Sequence, residues 1–182
     1  MTRSLFQKSD LVIVFFYMPY RRVTFYPNGY YHIYNRGNHK KDIFHDNGDY
    51  IYFLKKLKQS RSENKIRIIA YCLMPNHFHL LLQQKSAVSI SEFMRMFTRD
   101  YAEFHNYKYK AEGRLFQGPF KAREVLLEED LIHLTRYIHL NPLDIGATLN
   151  VLDQYQWSSY LDYIGTRNGT LPEFTDVIGD ID

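Results

Sequence analysis

A single cysteine, Cys72, stands in a chain of 182 residues. That excludes an internal disulfide and a cysteine-built zinc site. Its apolar neighbours make it a small core residue, and a reducing, cytoplasmic setting follows. Long apolar runs are also missing. Leu11–Met18 falls far short of the ~20 residues a membrane-spanning helix needs. Basic residues precede it, no small-residue cleavage site is clear, and Pro19-Tyr20-Arg21-Arg22 follows. It therefore reads as a peripheral strand or N-terminal extension, not a signal peptide, and no membrane partner is expected. Internal repeats and low-complexity stretches are absent. So is any G-x-x-x-x-G-K, the phosphate cradle of nucleotide-dependent enzymes.

What is present suits one folded domain with terminal extensions. The chain is 45% hydrophobic and 24% charged, with 16 Tyr and 13 Phe, so most individual aromatics serve packing. A net charge of +3 permits nucleic acid as a partner without demanding it. The distribution says more. Arg36, Lys40, Lys41, Lys55, Lys56, Lys58, Arg61, Lys65 and Arg67 face only Asp42, Asp46, Asp49 and Glu63, and no Lys or Arg follows Pro172. A basic front and an acidic tail suit a phosphate-binding surface at one end of the fold, although Lys55–Lys58 alone reads equally well as a solvated helix face.

Pro27-Asn28-Gly29 is a turn that sets residues 1–28 apart from a domain over 29–165, with an acidic tail at 166–182. Tyr30–Asn35 is aromatic and β-branched, hence a strand. Asp46-Asn47-Gly48-Asp49 offers N-cap chemistry for a helix to about Ser60, with Tyr52, Phe53, Leu54 and Leu57 as its apolar face. Lys65–Met74 and His77–Gln83 are strands joined by the tight Pro75-Asn76 break. Ser89-Ile90-Ser91-Glu92 starts a long helix to about Tyr109. Gly113–Pro119 is a loop, Lys121–Leu127 a fourth strand, and Glu128-Glu129-Asp130 opens a helix that Pro142 stops. The order β-α-β-β-α-β, then α, predicts an α+β fold: a ferredoxin-like split β-α-β core, an antiparallel sheet with helices on one face, and an added C-terminal helix.

The sharpest local pattern is His77-Phe78-His79. On a strand, positions i and i+2 share a face, so both imidazoles point one way while Phe78 anchors the other side. Paired neutral imidazoles begin a divalent-metal site; two surface histidines are the plain alternative. Tyr137 and Asn141, four apart, stack on one helix face. If that face meets the histidines, the Asn141 amide oxygen can serve as third ligand and the Tyr137 hydroxyl lies beside any bound phosphate. Otherwise Tyr137 is a core aromatic and Asn141 a helix cap.

Five blocks then stand in order: YHIYNRGN at Tyr31–Asn38, LMPNHFHLLL at Leu73–Leu82, GRLFQGPFK at Gly113–Lys121, RYIHLNP at Arg136–Pro142 and WSSY at Trp157–Tyr160. Over Tyr30 to about Tyr163 the chain resembles the HUH-type tyrosine transposases, the single-strand-DNA insertion-sequence enzymes, and within them the REP-associated tyrosine transposase branch. The resemblance implies that His77 and His79 are the metal pair, Asn141 a third ligand and Tyr137 the nucleophile on the added helix. It implies Mg²⁺ or Mn²⁺ as cofactor, since an amide oxygen and phosphate oxygens favour hard cations. Hairpin-containing single-stranded DNA is the implied partner, with Arg36 and Lys121 as candidate DNA contacts, in a prokaryotic cytoplasm and on the nucleoid when DNA is bound. Asn76 and His139 fall inside matched blocks without a role. Two positions depart from the pattern. Pro119 stands where relatives usually carry a basic residue, and Asp144 where an Arg often follows the Asn-Pro pair.

The implied activity is metal-dependent nicking and rejoining of single strands through a 5′-phosphotyrosine. The bond energy stays in the covalent intermediate, so no nucleotide cofactor is needed. Two other readings are weighed against it. A non-catalytic binder of structured single-stranded DNA or RNA, derived from a transposase, would not be expected to keep His77, His79, Tyr137 and Asn141 together. A phosphodiesterase using water would need an acidic base near the histidines, and Leu73–Gln83 contains none. Some relatives work as dimers that exchange the tyrosine helix and others as monomers, so a homodimer stays open.

Overall fold

The alternating pattern of Tyr30–Arg36 becomes strand β1 in the computed structural model, which describes residues 23–64, 66–145 and 149–174. Helix α1 spans Asn47–Asn64 and strand β2 Ile66–Met74. Strand β3 covers His77–Gln84, helix α2 Ile90–Tyr109, strand β4 Lys121–Val125 and helix α3 Glu128–Leu140. A 3-10 turn (Asn141–Ile145) and the short helices α4 (Leu149–Leu152) and α5 (Tyr160–Tyr163) follow. The sheet runs β2-β3-β1-β4, every neighbouring pair antiparallel. This is the expected α+β arrangement, with strand β3 inserted between β1 and β2.

Local chemistry accounts for the element ends. Asp46 Oδ1 accepts from the Asp49 backbone N–H (3.2 Å) and Asp49 Oδ2 from that of Asp46 (3.4 Å), a reciprocal cap that starts α1. It runs one turn past the expected stop at Ser60 because nothing between Ser60 and Asn64 breaks a helix. The Ser89 hydroxyl caps α2 by accepting from Ser91 N–H at 3.0 Å.

Helices α1 and α2 cover one face of the sheet. Phe53 sits at the centre of that core, its ring 4.7–5.2 Å from those of Phe44, Phe78, Phe97 and Tyr101. This is where much of the aromatic excess goes, and emptying the centre with Phe53→Ala costs about 3–5 kcal/mol. Helix α3 lies on the opposite face, burying Leu131, Leu134 and Ile138 against Ile69, Cys72, Met74 and Leu81. A bulge between Ile68 and Ala70 shifts the β2 register, so Ile69 and Ala70 both join this second core.

Val23 and Phe25 pack against the first core and Leu171 is buried in it, so ordered packing runs well to either side of the sheet. The expected peripheral strand or N-terminal extension at Leu11–Met18 and the acidic residues after Phe174 lie outside the described residues. Among the described residues no helix is long and apolar enough to cross a membrane.

Candidate active site

Strand alternation puts His77 and His79 on the α3 side of β3, while Phe78 is fully buried on the other side. The turn before them is gripped by the loop after β1. Pro75 O accepts from Ile43 and Phe44 N–H (2.8 and 3.0 Å), and Asn76 O accepts from Gly37 N–H (2.8 Å). A Cβ on Gly37 would lie 2.0 Å from Lys41 O, so only glycine permits this approach. Asn76 donates through Nδ2 to Lys40 O (3.2 Å) and lies 2.6 Å through Oδ1 from His77 Nδ1. The Lys40 carbonyl can only accept, which fixes the amide's orientation. Asn76 Oδ1 can only accept as well, so His77 carries its proton on Nδ1 and its lone pair on Nε2.

The neighbouring strands add to the same face. Arg36 pairs with His77 and Tyr34 with His79 across β1 and β3; Lys121 pairs with Tyr34 and Arg123 with His32 across β1 and β4. Directly opposed residues share a face, so three cations border the histidines. Lys121 Nζ stands 6.0 Å above the Tyr34 ring, and Tyr34 stacks on His32 and His79 at 5.0 and 5.8 Å. His32 Nε2 lies 2.9 Å from His79 Nδ1, and both rings are buried. Burial, with Arg123 beside it, lowers the His32 pKa to about 3, so this ring is neutral.

Helix α3 brings Tyr137 to this cluster from the same chain. Its ring centroid lies 5.7 Å from that of His79 and 6.2 Å from that of His32, both edge-on. Desolvation raises the Tyr137 pKa, and the charge of Asp144 raises it further. Asn141 is buried and donates its amide to the Tyr137 and Ile138 carbonyls (2.8 and 3.3 Å). It thus caps α3, and the amide oxygen is the atom it can offer an ion.

The helix is pinned from below. His139 Nε2 is 2.8 Å from Ser159 Oγ, and Ser159 Oγ accepts from the Tyr71 N–H of β2 at 2.9 Å. The Leu73 and Ser159 N–H groups bond to Trp157 O and Tyr71 O (2.8 and 3.0 Å). Thus the RYIHLNP and WSSY blocks form one clasp. The YHIYNRGN and GRLFQGPFK blocks form another: Asn38 N–H bonds to Leu115 O (2.8 Å), Gln117 N–H to Arg36 O (3.0 Å) and Asn35 Nδ2 to Gly118 O (3.1 Å).

Among the described residues no three His, Cys, Asp or Glu side chains gather as a metal-binding group. A site here would rest on the two imidazoles of β3, with Nε2 the His77 nitrogen that does not face Asn76; the Asn141 amide is tied to the end of α3. His32 was missed by the sequence reading. Its signal is the shared face with Tyr34, two residues on, but the cross-strand register that brings it to His79 is not written in any local pattern.

Comparison with known proteins bears on the family and the fold. The family model described as IS200-like transposase matches residues 25–141. A protein of Haemophilus influenzae described as a REP-associated tyrosine transposase is 27% identical over 123 residues, covering 62% of this chain and 69% of its own length. The solved structure of a REP-associated tyrosine transposase bound to a REP hairpin superposes with a TM-score of 0.68 at 14% identity, covering 87% of this chain and 96% of that one.

Proposed function

Since the chain belongs to the IS200-like transposase family, whose members nick and join DNA, we propose that it cuts and rejoins hairpin-containing single-stranded DNA with Tyr137 as nucleophile. The observation that carries this reading is the 5.7 Å separation of the Tyr137 and His79 rings within one chain, on a face bordered by Arg36, Lys121 and Arg123. The relative solved with a REP hairpin supports a hairpin as the DNA shape recognised.

His77 Nε2, His79 and the Asn141 amide oxygen would hold Mg²⁺ or Mn²⁺. When bound, such an ion lowers the phenol pKa and offsets charge on the phosphate oxygens. The chain's own residues do the rest. Arg36, Lys121 and Arg123 hold phosphates along the strand, and Tyr34 offers a stacking surface beside them. The Tyr137 phenolate oxygen attacks phosphorus, the P–O3′ bond breaks, and the departing 3′ oxygen takes up a proton. The 5′ phosphate is then esterified to Tyr137. Attack by a second 3′-hydroxyl reverses the step, transferring the phosphate from Tyr137 and closing the new strand.

Asp144 opposes this chemistry. Its charge favours the neutral phenol, so phenolate formation depends on the cations across the face. The test is incubation with labelled single-stranded hairpin DNA and Mn²⁺, followed by denaturing electrophoresis. A protein–DNA adduct that disappears in Tyr137→Phe, with hairpin binding retained, supports the reading. An adduct that persists in Tyr137→Phe contradicts it.

A further inference from the structure

A ring that ligates through one nitrogen has to be held by the other, and the two histidines of β3 are held by different residues. Asn76 holds His77. At His79 the second nitrogen faces another imidazole, that of His32, at 2.9 Å. His32 comes from the adjacent strand, pairs in register with Leu81 and is buried, its ring nearly parallel to that of His79 at 21°. One hydrogen lies between two ring nitrogens at that distance: one ring donates and the other accepts. If His32 donates, His79 keeps its proton on Nε2 and that nitrogen cannot ligate. If His79 donates, its Nε2 carries the lone pair, as Asn76 enforces at His77.

We propose that His32 is a positioning residue for His79. It accepts the Nδ1 proton, fixes the tautomer and locks the ring so that Nε2 faces the same ion as His77 Nε2. This rests on the metal-dependent reading above and adds a residue to it. His32 touches neither DNA nor ion; Tyr34, stacked on both rings, closes the remaining side of the pair.

Two measurements test it. Long-range ¹⁵N–¹H correlation spectra of the metal-free wild-type protein report the His79 tautomer directly. Titration with Mn²⁺, followed by electron paramagnetic resonance, compares His32→Gln with His32→Phe. A glutamine amide oxygen reaches the place of the imidazole Nε2 and keeps an acceptor; phenylalanine keeps the shape and removes it. The expected results are a His79 proton on Nδ1, Mn²⁺ affinity weakened about 10–100-fold in His32→Phe, and affinity within about threefold of wild type in His32→Gln. A His79 proton on Nε2, or unchanged affinity in a folded His32→Phe, overturns the proposal. Equal losses in both variants also overturn it, since His32 would then be a ligand itself. If wild type shows the Nδ1 proton yet binds no Mn²⁺, the positioning role stands and the metal-dependent reading falls.

Discussion

The Tyr137 ring meets the His79 ring edge-on at 5.7 Å within a single chain. On the proposed reading, the nucleophile and the histidine pair come from one subunit. A Tyr137→Phe variant mixed with a His79→Ala variant is expected to form no adduct above the sum of the two alone. Recovery to about one quarter of wild-type activity, since about half of the dimers would be mixed and each would carry one intact site of two, would show exchange of α3 between subunits.

Desolvation holds the Tyr137 phenol above its ordinary pKa, with Asp144 adding to the rise. At neutral pH the phenolate is the minor form, so the nicking rate should climb as pH increases toward the phenol's pKa. Asp144→Asn removes a negative charge that favours the neutral phenol. Its folded pKa falls, and at fixed pH below it the rate should rise roughly two- to fivefold. Single-turnover nicking measured from pH 6 to 9 checks the direction; a slower Asp144→Asn enzyme contradicts it.

Ser159→Ala removes the group that accepts from Tyr71 N–H and bonds His139. The lost partners predict destabilisation by about 1–3 kcal/mol, measured by urea denaturation. Because this clasp also seats α3 on β2, adduct formation should fall more than hairpin binding does.

Stability should also depend on pH through α1 and α2. His105 is buried, with Nε2 at 3.1 Å from His45 Nε2, and desolvation lowers its pKa below 6.5. A depressed histidine pKa gives stability that is present above 6.5 and lost as pH falls below it. The neighbouring Asp46 and Asp49 act later. Both pKa values are lowered from 3.8, Asp46 chiefly by its hydrogen bond to Lys108, and Asp49 by Lys108, His45 N–H and Tyr109 against the opposing effect of burial. Their contribution is lost only below about pH 3.8. Melting temperature should therefore decline between pH 6.5 and 4, and less steeply in His105→Gln.

Much of this was legible in sequence because it depends on near neighbours. The strand period put His77 and His79 on one face and Phe78 on the other. The acidic run Glu128–Asp130 marked the start of α3 and Pro142 its end. What depends on register was not legible. His32 reaches His79, and Arg123 joins the basic face, only through the β1 pairings with β3 and β4. His139 had no role assigned within its matched block; its ring is buried and tied to Ser159, twenty residues away. Asp144 was visible as a departure from the family pattern, but the sign of its effect on Tyr137 required the fold.

The most direct test is mass spectrometry of the tryptic peptides from wild-type protein denatured after reaction with Mn²⁺ and single-stranded hairpin DNA. One modified peptide is expected, spanning Tyr137, with a nucleotide joined to the phenol through its 5′ phosphate. A nucleotide attached to any other residue, or cleaved DNA bearing a free 5′ phosphate with every peptide unmodified, would contradict it.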